Sequence, residues 1–178
     1  MRKLVESTFL TLDGVISSPQ NWGPPYWDDQ HQEYASTLLF AADALLLGRA
    51  TYEGFAQAWP SRGRGDAFTA RINEMPKYVA SNTLQTATWN STIIRGDVAA
   101  EVARLKEQPG QSLLKYGTGE LDKTLMKHNL VDEFHFWMFP VVAGSGDRLL
   151  DGLDLTHFKL VRSAPFRSGI VVLVYGPK

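Results

Sequence analysis

Short apolar runs alternate with amphipathic segments along this chain, and that order predicts β-strands alternating with α-helices. The first apolar run, residues 4–12, predicts a strand, and a loop rich in proline and glycine follows it from Asp13. We expect no regular structure in this loop, because proline and glycine interrupt both helices and strands. Further strands are predicted at residues 44–47, 77–80, 92–94, 112–116 and 134–139. Helices are predicted at residues 29–40, 49–58, 69–74, 98–107 (after a cap at Asp97) and 120–128.

The last two apolar runs, residues 156–163 and 170–175, are neighbours in sequence and predict a closing antiparallel hairpin. Strands that alternate with helices predict a largely parallel sheet covered on both faces. The expected fold class is therefore α/β, with a mixed, mostly parallel sheet and a C-terminal antiparallel hairpin. The length of 178 residues fits one domain that spans residues 1–178.

Composition and charge exclude several classes of protein. A net charge of −1 gives no overall field that would attract nucleic acid. The absence of cysteine excludes disulfides, thiolate zinc sites and a cysteine nucleophile, and it fits a cytoplasmic location. No apolar stretch approaches the ~18 residues of a membrane span, so we expect no membrane partner. The histidines show no spacing typical of a metal site, so no metal is expected and they are assigned to the surface or the core: His31, His128, His135 and His157.

The strongest local motif is the turn Gly117-Thr118-Gly119, where a predicted strand ends at Tyr116 and a predicted helix begins at Glu120. Glycine lets the backbone turn sharply and lets a ligand approach without a Cβ in the way. The free N–H groups and the dipole of the following helix favour a phosphate at such a turn. An ordinary tight strand-to-helix turn has the same residues, and the motif by itself leaves both interpretations open.

Two familiar phosphate-binding motifs fail at Asp122. The Rossmann fingerprint has its third glycine at this position, and the P-loop has a glycine immediately before its Lys-Thr pair. An acidic side chain there is expected to repel a triphosphate, which excludes an ATPase or a GTPase.

Two further strand ends carry polar residues. Gly48, Arg49 and Thr51 follow the strand at 44–47, and Ser81-Asn82 follow the strand at 77–80. Arginine presents a fork of donors that matches phosphate oxygens, although Arg49 alone is equally a surface side chain beside a helix cap. Because open α/β sheets bind ligands at the carboxyl ends of their strands, the three strand ends together predict one crevice.

In order and spacing, these segments resemble the dihydrofolate reductase fold family. The similarity covers nearly the whole chain and is greatest to the branch that contains the reductase domain of bacterial riboflavin biosynthesis and its stand-alone relatives. The segments that carry it are Thr11-Leu12-Asp13-Gly14-Val15-Ile16, Leu47-Gly48-Arg49-Ala50-Thr51-Tyr52-Glu53, Gly117-Thr118-Gly119, Leu130-Val131-Asp132-Glu133 and Pro140-Val141-Val142-Ala143-Gly144-Ser145-Gly146. The resemblance implies a three-layer α/β/α fold.

The resemblance also implies a nicotinamide cofactor, NADPH rather than NADH. The pyrophosphate would lie along Tyr116, Gly117, Thr118, Gly119, Glu120 and Leu121. Gly48, Arg49 and Thr51 would meet the phosphates, with Arg49 near the adenosine 2′-phosphate, and Ser81 and Asn82 would flank the ribose. Thr118 departs from the family pattern, which commonly has two adjacent glycines.

The resemblance identifies the substrate-binding and catalytic residues less directly than the cofactor-binding residues. In the riboflavin branch an Asp-Gly pair after the first strand lies near the substrate, which nominates Asp13 as catalytic, while a plain Asp-Gly turn is the alternative. The carboxylate that dihydrofolate reductases carry on their first helix has no clean match among Asp28, Asp29 and Glu33, and the two aspartates are equally helix caps. The expected substrate contacts are Trp22, Trp27, Asp28 and Tyr52, although the tryptophans are also suited to pinning a loop onto the core.

The resulting functional hypothesis is a reductase that transfers hydride from NADPH to a C=N or C=O bond of a small pterin- or pyrimidine-like molecule. The alternatives are a dinucleotide- or pterin-binding module with little catalysis, and a structural dimer with an empty crevice. A homodimer is expected because the segment 134–139 is aromatic on both strand faces, and one of these faces would meet a second subunit.

Overall fold

The computed structural model describes all residues, 1–178. Eight strands form one sheet in the order β4-β3-β2-β5-β1-β6-β8-β7. The strands are β1 Leu4–Thr11, β2 Ala42–Gly48, β3 Lys77–Ala80, β4 Ser91–Ile94, β5 Ser112–Tyr116, β6 Glu133–Phe139, β7 Phe158–Pro165 and β8 Val171–Pro177. The helices are α1 Pro19–Trp22, α2 Asp29–Phe40, α3 Arg49–Ala58, α4 Ala67–Glu74, α5 Val98–Glu107 and α6 Glu120–Lys127.

The sheet is mixed, as the sequence predicts. Strands β1 to β6 pair in parallel, and β8 pairs antiparallel with both β6 and β7. The predicted mostly parallel sheet with an antiparallel C-terminal hairpin is therefore confirmed. Because the six parallel strands share one direction, their carboxyl ends all lie along one edge of the sheet.

Helices cover both faces of the sheet and enclose separate parts of the core. On one face, α2, α3 and α4 pack over β2, β3 and β5, where Leu45, Leu47 and Val79 are fully buried. On the other face, α5 and α6 pack over β1, β2 and β5 through Val102 and Leu125. The fold is therefore three-layered, and β1 and β5 lie in its centre, buried on both faces.

Residues on both faces of the aromatic strand β6 pack within the chain itself, and a second subunit on one of these faces stays a prediction. Phe134 and Phe136 pack in the cluster on the α5 side, and Trp137 and Phe139 pack in the cluster on the α2 side. The Trp137 indole Nε1 also donates a 3.0 Å hydrogen bond to Ser7 Oγ on β1. Both faces of β6 thus serve the core of a single chain.

The loop after β1 contains short helical turns, contrary to the expectation of no regular structure. Helix α1 begins at Pro19, and a 3-10 turn spans Pro24–Tyr26. Proline has no backbone N–H and a fixed φ, and both properties suit the first position of a helix. The same residues that interrupt a longer helix therefore begin these turns. Elsewhere in the chain, no helix is both long and apolar enough to cross a lipid bilayer.

Leu46→Ala tests the packing around the buried strand β2. The Leu46 side chain is fully buried in the middle strand β2, and we expect Leu46→Ala to lower the free energy of unfolding by about 2–5 kcal/mol through lost burial and a residual cavity. Leu155→Ala is the matched control, because Leu155 is 90% exposed and its loss should change stability by less than about 0.5 kcal/mol. Urea denaturation measures both. Equal effects of the two substitutions would contradict the buried position of β2.

Candidate functional site

The predicted crevice lies at the ends of β2, β3 and β5, and β1 borders it on the other side of β5. Strand β5 lies between β2 and β1, and Tyr116, its last residue, is paired with Leu47 on one side and with Ser7 on the other. The order β2-β5-β1 is a crossover, because β5 comes later in the chain than both neighbours. Ligands of open α/β sheets bind at such points, at the carboxyl ends of the strands.

Gly117 brings the turns after β5 and β2 into direct contact. Its φ is +73°, a left-handed conformation that glycine adopts without strain. A Cβ at this position would lie 2.0 Å from Thr51 Oγ1 and 3.0 Å from Thr51 Cβ. Thr51 therefore occupies the volume of a side chain that Gly117 lacks, so the sequence-predicted residues Gly117 and Thr51 are brought together.

Two helices begin at this contact without a side-chain cap. Gly48 is the N-cap of α3 and Gly119 is the N-cap of α6, and a Cβ on either glycine would meet nothing within 4 Å. The N–H groups of Thr118, Glu120 and Leu121 donate no hydrogen bond within the protein. Free N–H groups and converging helix dipoles make this region suitable for an anion.

Asp122 does not point at the crevice, which corrects the expectation that it would repel phosphate. Its side chain is buried, forms an ion pair with Lys115 Nζ, and accepts a 2.6 Å hydrogen bond from the N–H of Gly119. The charge of Asp122 is thus balanced beneath the turn. The glycine spacing still fails both phosphate motifs, so their exclusion depends on spacing alone.

Arg49 lies at the rim of the crevice and is exposed. Its Nε donates a 2.8 Å hydrogen bond to Glu53 Oε1 one turn along α3, and its NH1 group donates a 2.6 Å hydrogen bond to Thr83 Oγ1. The second contact ties α3 to the loop after β3. A phosphate at this rim would compete with Glu53 for the guanidinium.

Ser81 and Asn82 lie on the same edge, where their oxygens organise loops. Ser81 Oγ accepts a 3.0 Å hydrogen bond from the N–H of Leu84, and Asn82 Oδ1 accepts a 2.8 Å hydrogen bond from the N–H of Gly96.

Arg95, which follows β4, donates to the backbone oxygens of this loop and forms no ion pair. Sequence inspection missed Arg95, although a lone arginine at a strand end was a signal of the same kind as Arg49.

Asp13 ties two loops together. Its carboxylate accepts hydrogen bonds from Thr11 Oγ1 at 2.6 Å and from the N–H groups of Ala143 at 3.0 Å and Gly144 at 2.8 Å. The Thr11 hydroxyl and then the Ala143 N–H lower the pKa of Asp13 to about 2. A carboxyl that stays ionised at neutral pH is a poor proton donor, so this geometry favours an anchoring role.

The two tryptophans of the loop after β1 differ: one packs against the core and the other is exposed. Trp22 packs edge-on against Phe139 at 5.1 Å between ring centroids and donates to Ser17 O, so it pins the loop. Trp27 is 49% exposed and stacks on His31. Asp28 caps α2 by accepting a 2.8 Å hydrogen bond from the N–H of His31, which is the cap role that the sequence suggested.

Tyr52 is buried in the core, which does not favour its assignment as a substrate contact. Only 5% of Tyr52 is exposed, and its hydroxyl accepts a 2.8 Å hydrogen bond from the N–H of Thr88. On helix α3 its side chain faces inward, where it packs with Leu47 and Val79. Its geometry is that of a core residue.

His31 is the residue of this region that sequence inspection missed. Its imidazole lies between Trp27 and Trp137, with ring centroids 5.7 Å and 5.0 Å away, and its Nε2 is buried without a hydrogen-bond partner. Burial lowers the pKa of His31, so the ring is neutral at neutral pH. Tyr116 likewise has a buried, unpartnered hydroxyl, and burial raises its pKa. The sequence gives no signal of the contact between His31 and Trp137, because Trp137 lies on the distant strand β6.

An apolar cavity of about 420 Å³ lies on the opposite face of the sheet from α2. It is lined mainly by apolar residues of β1 and β6, including Leu10 and Phe136, and by Arg148 at its edge. Arg148 Nε donates a 3.0 Å hydrogen bond to Asp13 O, so the cavity adjoins the Asp13 loop. It contains none of the residues expected to bind the dinucleotide, and we assign the site by its strand ends and free donors instead.

Comparison with known proteins agrees with this architecture. Residues 2–172 match the RibD C-terminal domain. The chain belongs to that family. It is 30% identical over 179 aligned positions to the uncharacterized protein YyaP of Bacillus subtilis, which covers 98% of this chain and 94% of YyaP.

Solved structures extend the similarity to the fold. A provisionally named riboflavin biosynthesis protein from Shewanella sp. PV-4 superposes with a TM-score of 0.75 at 21% identity, over 99% of each chain. Dihydrofolate reductase from Enterococcus faecalis, in complex with NADP(H) and the compound RAB-propyl, superposes with a TM-score of 0.66 at 16% identity, over 98% of this chain and 95% of that chain. The predicted dihydrofolate reductase-like fold is confirmed.

Asp13→Asn tests the loop anchor. Asparagine keeps one oxygen acceptor and replaces the other with an amide donor, so amide hydrogen exchange at Ala143 or Gly144 should become faster. Because the folded-state pKa of Asp13 is lowered, its stabilisation is present above the ordinary aspartate pKa of 3.8 and is lost as pH falls through about 2. The difference between variant and wild type should vanish over that range.

Asp66→Asn is the matched control, since Asp66 is also a carboxylate with a lowered pKa and caps α4 through Thr69. Its exchange effect should stay at the start of α4. Unchanged exchange at both Ala143 and Gly144 in Asp13→Asn would contradict the anchoring role.

Proposed function

We propose that this protein binds NADPH in the crevice at the ends of β2, β3 and β5 and reduces a C=N or C=O bond of a small pterin- or pyrimidine-like substrate. The observation that carries the proposal is the contact between Gly117 and Thr51, which brings the starts of α3 and α6 together beside uncapped N–H groups. A pyrophosphate matches this arrangement, because it presents several anionic oxygens to converging donors.

The preference for NADPH over NADH rests on the basic rim. Arg49 follows β2, the strand next to β5, and Arg95 follows β4, which lies two strands further out at the edge of the sheet. To bind the 2′-phosphate, Arg49 would have to break its ion pair with Glu53. Arg95 has no carboxylate partner, so it would break no ion pair. The relatives include a dihydrofolate reductase whose crystal structure contains NADP(H), which supports a nicotinamide dinucleotide at this fold position.

NADPH bound there would supply a hydride. The protein would hold the acceptor ring: the exposed indole face of Trp27 can stack on a flat heterocycle. The neutral His31 imidazole stacks on this indole at 5.7 Å between ring centroids and would hold it in place from within the protein. Asp13 would stay ionised and keep the two loops together at the edge of the site.

A binding module with little catalysis is the second candidate. The ionised state of Asp13 favours it, because this carboxyl is then unavailable as an acid near neutral pH. The discriminating assay follows NADPH oxidation with 7,8-dihydrofolate or a 5-aminouracil as acceptor. Binding of NADPH without any increase in its oxidation would support the module.

Gly117→Ala tests the close contact between Gly117 and Thr51. An added Cβ meets Thr51 and sits on a backbone with positive φ, so we expect NADPH affinity, followed by tryptophan fluorescence, to fall by about tenfold or more and stability by about 2 kcal/mol. Gly63→Ala is the control, because Gly63 also has positive φ but open space around its Cβ position. It should lose stability only. Wild-type affinity in Gly117→Ala would remove the turn from the site, and failure of the wild type to bind either dinucleotide would refute the proposal.

Arg49→Ala tests the choice of cofactor. Losing a charge-assisted contact to the 2′-phosphate should weaken NADPH binding by about tenfold and leave NADH binding within about twofold. Arg104→Ala is the control, since Arg104 also pairs with a glutamate of its own helix, Glu101 on α5. It should change neither affinity. An NADPH preference that survives Arg49→Ala would exclude this role for Arg49.

A further inference from the structure

Three charged side chains are buried together beneath the glycine turn. Glu6 on β1 is fully buried, and only 1% of Lys115 on β5 and 2% of Asp122 on α6 are exposed. Glu6 and Lys115 are direct partners in the register of the parallel strands, so both side chains lie on the face that α6 covers. Buried charges are rare unless they are paired, so this group calls for a specific explanation.

Lys115 and Asp122 hold the two ends of the turn. Lys115 Nζ donates to the carbonyl oxygen of Gly117 and pairs with Asp122 Oδ1. Asp122 Oδ2 accepts the N–H of Gly119 at 2.6 Å. One ion pair therefore fixes both the first and the last residue of the three-residue turn.

Glu6 is the unsatisfied member of the group. Its Oε1 accepts a 3.2 Å hydrogen bond from Thr8 Oγ1, while its Oε2 has no hydrogen-bond partner and lies 4.0 Å from Lys115 Nζ. Burial, opposed by the Lys115 charge and assisted by Asp122, raises the pKa of Glu6 to about 8. Near neutral pH, Glu6 is therefore an uncharged acid.

We propose that Glu6, Lys115 and Asp122 are a positioning unit for the Gly117–Gly119 turn, and that loss of the Glu6 proton rearranges the turn and weakens dinucleotide binding. The second half of this inference rests on the proposed function; the first half concerns the free protein. With Glu6 protonated, the unit contains one cation and one anion. With Glu6 ionised, it contains a second anion, which competes for the Lys115 ammonium and repels phosphates bound above the turn.

The groups that act on Glu6 come from each neighbouring element: Thr8 from its own strand, Lys115 from β5 and Asp122 from α6. Burial also lowers the pKa of Lys77 to about 8, which is the same range. Lys77 lies on β3, where it donates to Asn73 O and packs on the Trp89 ring. The experiment therefore needs variants at both positions.

The first readout is cofactor affinity against pH. NADPH is titrated from about pH 7 to about pH 9.5, where its 2′-phosphate, with a second pKa near 6, stays ionised. For each pKa unit by which bound NADPH raises the pKa of Glu6, wild-type affinity should fall about tenfold across the transition. Glu6→Gln should bind with one affinity throughout, and Lys77→Met should keep the wild-type profile. A pH profile in Glu6→Gln that matches wild type would overturn the proposal.

The second readout needs no ligand. In the free protein, the amide NMR shifts of Thr118 and Gly119 should follow one titration near the Glu6 pKa, and that titration should be absent in Glu6→Gln. Constant shifts in wild type, or the same titration in Glu6→Gln, would overturn the positioning unit. If this titration occurs and NADPH does not bind, the proposed function fails while the positioning unit stands.

Stability gives a third measure if Glu6→Gln alters the fold. The folded-state pKa of Glu6 is raised, so its protonated form stabilises the fold below the ordinary glutamate pKa of 4.5, and this advantage is lost as pH rises through about 8. The urea midpoint of wild type should therefore fall across this range relative to that of Glu6→Gln. Parallel curves for the two proteins would contradict the raised proton affinity on which the proposal depends.

Discussion

The close approach of Gly117 to Thr51 determines the geometry of the candidate site. A side chain at position 117 would push the start of α3 away from the end of β5, and the two helix N-termini would no longer meet. Everything assigned to the dinucleotide depends on this distance: the free N–H groups at the start of α6, the hydroxyl of Thr51, and the arginine that α3 carries to the rim. The glycine is needed for space as much as for its positive φ.

The positions of helices and strands can be predicted from the sequence where capping residues or glycines mark their ends. Helices α2 and α5 begin where Asp28 and Asp97 supply caps, and β5 ends where glycine interrupts it. The mixed sheet followed from the alternation of elements. The short helices that begin at Pro19 and Pro24 are not evident from the sequence, because proline interrupts longer helices but also favours the first helical position.

The site was less predictable, because its properties depend on contacts between distant segments. Asp122 looked like a repulsive charge in the sequence, and only the parallel register that places Lys115 beside Glu6 explains why it turns inward. Tyr52 looked available beside Arg49, yet its position on α3 faces the core. His31 acquires its aromatic neighbours from strands that lie far away along the chain. No local pattern contains such information.

The buried charges beneath the turn are not explained by stability. Desolvating an ion pair costs several kcal/mol, and well-packed apolar residues in the same volume often give equal or greater stability. What apolar residues would not provide is a donor for the Gly117 carbonyl and an acceptor for the Gly119 N–H at the same time. A turn held from both ends presents its remaining N–H groups in one orientation, and that preorganisation reduces the entropy lost when a ligand binds. The charged group therefore makes sense as a device for the shape of the turn. Glu6 adds no hydrogen bond to the turn, so its effect on the turn depends on its ionisation: it is uncharged near neutral pH and adds a second anion at higher pH.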